Sequence, residues 1–420
     1  MLSFQRRLHL DRELDLLITA SRRHLSADQQ VHAAALLADG SDPQRLYNLA
    51  ETHHLKMVLY RGLIQLGAAS PLRDRLEREA AEQALFYEFV YPQQLAAVLA
   101  ALDAAGIRAL ILKGYALGQA VYDQPVLRAY TDFDLLIPPD QIMQAAHILT
   151  ELGYTRDTSH DYPPDYDQQH HHLVPYVHPE WLPVELHQRL VTPQGSLHID
   201  YDSVWAQAQR IDIDGTAAET LSVEHLLIYL ALHAACNHLF NVGLRALCDM
   251  CEVIAAREVP WTQVVADCRA WGCTRQVYMM LRIASEFYGP IAPEAVFAQL
   301  CPQGIAPEFL NYGITNVLET TMAGLKTSSG LAEVWQSPDP AQRWWAILAR
   351  FFPPSSEVAR TYDLANTDWK RWLYYPRWQA RLMQRHLATG LSLLRSDPAT
   401  LERAQQEAVR RDLIDWMSKA

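Results

Sequence analysis

No cysteine occurs in the first half of this 420-residue chain; all six fall at positions 236, 248, 251, 268, 273 and 301. A disulfide framework for the whole molecule is thereby excluded. Positive charge is also short, with 36 Lys and Arg against 48 Asp and Glu and a formal net charge of −12. Broad, sequence-independent binding to nucleic acid needs a basic surface, so that class is set aside, although a local basic patch is still compatible with a specific RNA. No apolar run reaches the roughly 18 residues of a membrane span. The opening MLSFQRRLHLDRELDLL has no apolar stretch behind its basic residues, unlike a secretory signal. The expectation is a cytoplasmic protein that is not embedded in a membrane.

What is present is a chain half hydrophobic and one-fifth charged, long enough for two or three packed units. The spacing CDMC…CRAWGC invites a test for zinc, since paired cysteines are common ligands. LRALCDMCEVIAA has helical periodicity, however, and no glycine-rich knuckle surrounds it, so these cysteines read as small core residues.

Residues 1–90 carry apolar side chains at three- and four-residue spacing and predict helices. Ser26 and either Ser41 or Asp42 stand where N-caps belong, and Gly67 and Gly106 where helices stop. From 91 to 215 the period changes. IRALILK (107–113) and YTDFDLLIP read as strands, GYALGQAVY and DQIMQAAHILTELG as helices, and 170–190 as a hairpin with LPVELHQ as its second strand. Helices return over 216–420, beginning with SVEHLLIYLALHAACNHLF behind a Ser N-cap and Glu224. Residues 323–365 resist assignment. The fold class is α+β: a small mixed-sheet core at 91–215 between helical regions at 1–90 and 216–420.

Chemistry concentrates in LILKGYALGQAVYDQPVLRAYTDFDLLIPP (110–139). Residues two apart on a strand share a face, so Asp132 and Asp134 present two carboxylates side by side, with Phe133 opposite. Two like charges that close repel, and a divalent cation such as Mg2+ or Mn2+ relieves the repulsion. A polar edge strand with solvated acids is the plain alternative. Lys113-Gly114 ends a strand and opens a helix, a turn at which backbone amides and a lysine charge attract phosphate; alone it reads better as an ordinary turn. Glu185 in PVELHQ is the candidate third acid, and His187 shares its face. His171 and His172 precede that strand as second-layer or acceptor-site candidates, with a solvated loop as the alternative. His233 and His238, five apart, do not share a helical face well. Arg245 and Asp249, at i and i+4, either pair with each other or leave Arg245 to a phosphate. The basic, aromatic DWKRWLYYPRWQARLMQRH (368–386) suits stacking on an acceptor, or an amphipathic helix packed on the body.

The combination LKGYAL…R-x-x-x-D-x-D-L-L-I…V-E-L-H resembles the uncharacterised nucleotidyltransferase family within the DNA polymerase beta-type superfamily, over roughly residues 90–285. Lys113-Gly114 stands where the wider superfamily has Gly-Gly or Gly-Ser, and Arg128, HAACNH and RALCD also match the family's pattern. The resemblance implies that Asp132, Asp134 and Glu185 bind two metal ions, and that Lys113, Gly114, Arg128 and Arg245 neutralise phosphate. A nucleoside monophosphate would pass from an NTP, expected to be ATP, to a small molecule, peptide, protein or RNA, with natural-product tailoring one setting. Two other functions stay open: a kinase-like phosphotransferase on the same scaffold, and a catalytically silent nucleotide- or peptide-binding protein.

Overall fold

A computed structural model describes residues 11–122, 124–192, 197–319, 369–377, 379 and 398–419. The chain forms two compact units, Met1–Thr321 with Trp416–Ala420, and Met322–Asp415. In the second, Trp369–Tyr374 forms a 3-10 turn, with Trp372 exposed and stacked on Tyr375. Of the aromatic-basic stretch 368–386, residues 368, 378 and 380–386 lie outside the described residues, as does all of 323–365.

The first unit opens with helices α1 (Arg12–Ala20), α2 (Ala27–Ala38), α3 (Pro43–Thr52) and α4 (Lys56–Gln65). Ser26 and Gln29 cap α2 reciprocally, and Asp42, rather than Ser41, accepts the first amides of α3. The single helix expected across 42–67 is broken where His54 turns to φ +54°. Next, α5 (Pro71–Leu85), a π turn (Phe86–Val90) and α6 (Tyr91–Ala104) follow without interruption. This 34-residue helix is long and apolar enough, by length and composition, to cross a membrane. The sequence predicts this stretch as helical, and Glu88 and the Gln93-Gln94 pair keep it from reading as one uninterrupted apolar run. In the structure 39% of its most apolar window is buried.

The sheet elements are β1 (Leu110–Ile111), β2 (Phe133–Leu136), β3 (Thr155–Arg156), β4 (Tyr176–Val177), β5 (Val184–His187), β6 (Gln209–Ile213) and β7 (Thr216–Thr220). Among them run α7 (Tyr115–Ala120), α8 (Ile142–Glu151), α9 (Tyr166–Gln169) and α10 (Tyr201–Ala206). The strands make one mixed seven-stranded sheet in the order β3-β4-β5-β2-β1-β7-β6, so the α+β class expected from the sequence is what forms. Its centre is β2, antiparallel to β1 and parallel to β5. β1 is only two residues long, and β2 starts at Phe133, which leaves Asp132 just outside the strand. The β6–β7 hairpin was not anticipated, although Asp214-Gly215, both at positive φ, is a tight-turn pair. Positions 90/91 and 215/216 fall inside a continuous helix and at this hairpin's turn.

Helices α11 (Val223–Leu232), α12 (Gly243–Ala256), α13 (Trp261–Trp271), α14 (Thr274–Tyr288), α15 (Glu294–Leu300) and α16 (Pro307–Leu318) complete the unit. Ser222 sits at the N-cap of α11 in extended geometry, but its hydroxyl makes no capping bond, and Glu224 falls too early for a reciprocal one. Five cysteines are buried and Cys236 half-buried, all as free thiols. The N-terminal helices are tied to α12 by Arg22, whose Nε donates to the buried Glu252 at 2.6 Å.

Gly62 on α4 lies against the end of α1: a Cβ there would stand 2.0 Å from the Ala20 carbonyl oxygen. Gly62→Ala is therefore expected to cost about 1–3 kcal/mol through overpacking, measured by urea unfolding. An unchanged midpoint would contradict this close approach.

Candidate active site

Parallel pairing of β2 with β5 sets Asp134 directly beside Glu185. Alternation then sends Phe133 and Leu135 into the core on the opposite face. His187, two residues past Glu185, returns to the carboxylate face. Its Nε2 donates to Asp134 Oδ1 at 3.0 Å and lies 3.5 Å from Glu185 Oε2. Asp134 and His187 are both about 1% exposed. From the end of β1, Lys113 Nζ reaches the other Asp134 oxygen at 3.1 Å. Gly114 follows at φ +56°, with Tyr130 Cβ 3.2 Å from where a side chain would begin, so a turn this tight favours glycine.

Electrostatics follow from this packing. Burial alone would raise the Asp134 carboxyl, but Lys113 and His187 hold it well below the usual range. Burial likewise opposes charge on His187, yet its hydrogen bonds to Asp134 and Glu185 carry it up to about 9. Glu185 is lowered against its own burial by the His187 hydrogen bond. Asp132 behaves differently. Burial and the neighbouring Asp134 push it up to about 6.

Around these groups is a cleft of about 370 Å³, within the usual size of ligand sites. Every site residue proposed from the sequence lines it: Lys113, Gly114, Arg128, Asp132, Asp134, His171, His172, Glu185, His187 and Arg245. The two arginines differ. Arg128 is buried and its Nε donates to both oxygens of Asp249 at 2.8 Å. Tyr122 also donates its hydroxyl to Asp249, at 2.8 Å. Asp249 is thus taken, and Arg245 does not pair with it. Arg245 Nη1 donates instead to the Ala129 carbonyl at 3.1 Å. Burial and the Arg128 charge lower its pKa to about 10, as expected of a cation awaiting an anion.

The histidines are ordered. The Asn237 amide donates to His171 Nε2 at 3.2 Å, so His171 Nδ1 is the donor to Thr192 Oγ1 at 3.0 Å. Burial and His187 lower His171 to about 2, which keeps it neutral. His172 donates Nδ1–H to the Leu173 carbonyl at 2.6 Å, leaving Nε2 as an acceptor 4.0 Å from Glu185 Oε2. His170 is turned away and stacks on Tyr166.

Other cleft residues were missed or underweighted. His233 and His238 bring their Nε2 atoms to 3.3 Å, because the turn between them (His233–Asn237) is a π turn, not an α turn. His54 enters from the positive-φ break between α3 and α4. Its signal was only an interruption of helical periodicity at Thr52-His53-His54.

The donor set suits a divalent cation. Ligand atoms of Asp134, Glu185 and His187 all lie within 4.8 Å of one another. The two carboxylates match Mg2+ or Mn2+, while His187, its Nε2–H given to Asp134, stands beside them as a positive neighbour.

Two outcomes follow for stability. Asp249→Ala leaves Arg128 buried without its carboxylate and is expected to cost about 3–5 kcal/mol in chemical denaturation. For His187 the folded pKa is raised, so its stabilisation is complete below about pH 6.5 and is lost as pH rises through about 9. Asp132, at about 6, titrates below most of that window. Wild-type stability should fall by up to about 3 kcal/mol between pH 6.5 and 9.5, and His187→Asn should flatten that slope. A parallel decline in the variant would dissociate His187 from the effect.

No curated protein matches the chain. A family model described as an uncharacterised nucleotidyltransferase matches residues 39–289, a span that includes every residue lining the cleft. The chain therefore belongs to this nucleotidyltransferase family.

Proposed function

We propose that this protein is a cytoplasmic, metal-dependent nucleotidyltransferase that moves a nucleoside monophosphate from an NTP, ATP by preference, to an acceptor hydroxyl. The observation that carries this reading is the convergence of three acids and a carboxylate-free arginine on one cleft. Asp132, Asp134 and Glu185 would hold the metal. A divalent ion bound there supplies charge for the triphosphate and acidifies an acceptor hydroxyl.

The chain's own groups divide the remaining work. Arg245 meets the triphosphate, since its guanidinium hydrogen-bonds a carbonyl and makes no ion pair among the described residues. Gly114, which brings no side chain, lets phosphate approach the backbone. Arg128, its charge offset by Asp249, fixes the wall behind Arg245. His172 Nε2 accepts the proton of the acceptor hydroxyl, a role open to it because Nδ1–H is committed to Leu173. The new bond joins the acceptor oxygen to the α-phosphorus. The bond from the α-phosphorus to the bridging oxygen breaks, and pyrophosphate leaves.

The test is label transfer in host cell extract, with Mg2+ or Mn2+ and triphosphates labelled at α or at γ. Label from the α position should enter a new species with the wild-type protein. Asp132→Asn should reduce the rate on the order of a thousandfold, a loss typical of removing a key electrostatic group. Arg245→Ala should weaken triphosphate binding roughly tenfold to a hundredfold, as for a lost hydrogen bond to a charged group. Transfer of γ label would replace this reading with a phosphotransferase. No transfer, with no metal-dependent nucleotide binding by calorimetry, would leave a silent binding protein.

A further inference from the structure

The resemblance drawn from the sequence implies two metal ions on Asp132 and Asp134, yet each oxygen of Asp134 already faces a side-chain cation of the protein. Lys113 Nζ pairs by charge with Oδ2 at 3.1 Å, and His187 Nε2 donates a hydrogen bond to Oδ1 at 3.0 Å. The carboxylate is about 1% exposed, so neither partner is exchanged readily for water. Lys113 is also rigidly delivered. The Leu112 amide immediately before it donates to the Asp134 backbone carbonyl at 3.1 Å, and Gly114 beyond it is fixed against Tyr130. By contrast, Asp132 lines the same cleft and makes no hydrogen bond or ion pair among the described residues. Asp132 thus has no cation in contact, Lys113 and Arg245 acting on it only at longer range, whereas Asp134, the other acid expected to carry both metals, has two.

We propose that Lys113 is a resident cation that takes the place of one divalent ion on Asp134, so that the site works with a single metal ion. The inference rests on the metal-dependent reading above and concerns only the number of ions. A lysine suits the role, since its ammonium is a compact point charge on a four-carbon stem. A second divalent ion on Asp134 would have to displace that ammonium or lie against it, with like charges in contact.

Manganese electron paramagnetic resonance on the full chain, saturated with α,β-methylene-ATP, counts the ions directly. Surface binding is subtracted with the Asp132→Asn, Asp134→Asn double variant. The expected count is one Mn2+ per wild-type chain, nucleotide included, with an uncoupled spectrum. Lys113→Met, similar in length but uncharged, should bind two, with the spin coupling of ions about 3.5–4 Å apart. Lys113→Arg should stay at one. Two coupled ions in the wild type would overturn the inference and leave the proposed function standing. A Lys113→Met protein that folds, by circular dichroism, and still binds one ion would also overturn it. If that variant fails to fold, the wild-type and Lys113→Arg counts decide. No Mn2+ in the wild type or any variant would sink both the inference and the metal-dependent reading on which it rests.

Discussion

A buried and a half-buried carboxylate on adjacent strands are the constraint around which the rest of the cleft is arranged. Parallel pairing of β2 with β5 sets Asp134, which is closed off from solvent, beside Glu185, which is 22% exposed at the cleft. Ionised and unaccompanied, they would repel at high cost in such surroundings. The sheet itself supplies the remedy. His187 arrives from the same strand as Glu185, and Lys113 from the neighbouring β1. Sheet order, strand register and side-chain charge are thus one problem with one solution. An insertion of one residue into β5 would send Glu185 to the apolar face and lose the set together.

A second charged layer holds the helices to this centre. Arg128, Asp249 and Tyr122 form a buried network joining the segment before β2 to α12. One turn earlier on α12, Arg245 faces the cleft. Because Asp249 is committed to Arg128, the intrahelical Arg245–Asp249 pair that spacing alone allows does not form. The consequence reaches beyond α12. Glu252, further along that helix, binds Arg22 and accepts from the Arg23 amide. The N-terminal helices that deliver His54 are therefore registered against the same helix that carries Arg245.

Much of this was legible in the sequence, for identifiable reasons. Period-2 alternation across D-F-D and V-E-L-H places Phe133 and Leu186 in the core and Asp134, Glu185 and His187 on the other face, and strand geometry permits little else. What sequence spacing does not encode is partner choice. Nothing in the segment 110–139 says that Lys113 reaches Asp134 more closely than it could reach a phosphate, nor that Asp249 is spent on Arg128. Those outcomes depend on approaches between residues up to 121 positions apart. The β6–β7 hairpin was a different kind of omission. Asp214-Gly215 is a strong local turn signal, but the flanking RIDI and TAAET carry too little bulk to stand out as strands.

The two π turns show why helical periodicity misleads beside this cleft. In an α-helix, residues five apart diverge around the axis; a π turn widens the coil and realigns them. At His233–Asn237 this brings His233 and His238 to 3.3 Å and puts Asn237 in reach of His171 and of the Thr192 amide. At Phe86–Val90 it accompanies Tyr87 donating its hydroxyl to the Tyr130 carbonyl at 2.8 Å. Tyr130 stands two residues before Asp132 and against Gly114. Each irregular turn thus anchors a segment that borders the acids: one the histidine wall, the other the loop that carries Asp132. A regular α-helix at either place would rotate those donors off the segments they hold. The widened turns are therefore part of how the fold positions the cleft, and the reason that counting in threes and fours understated His233 and His238.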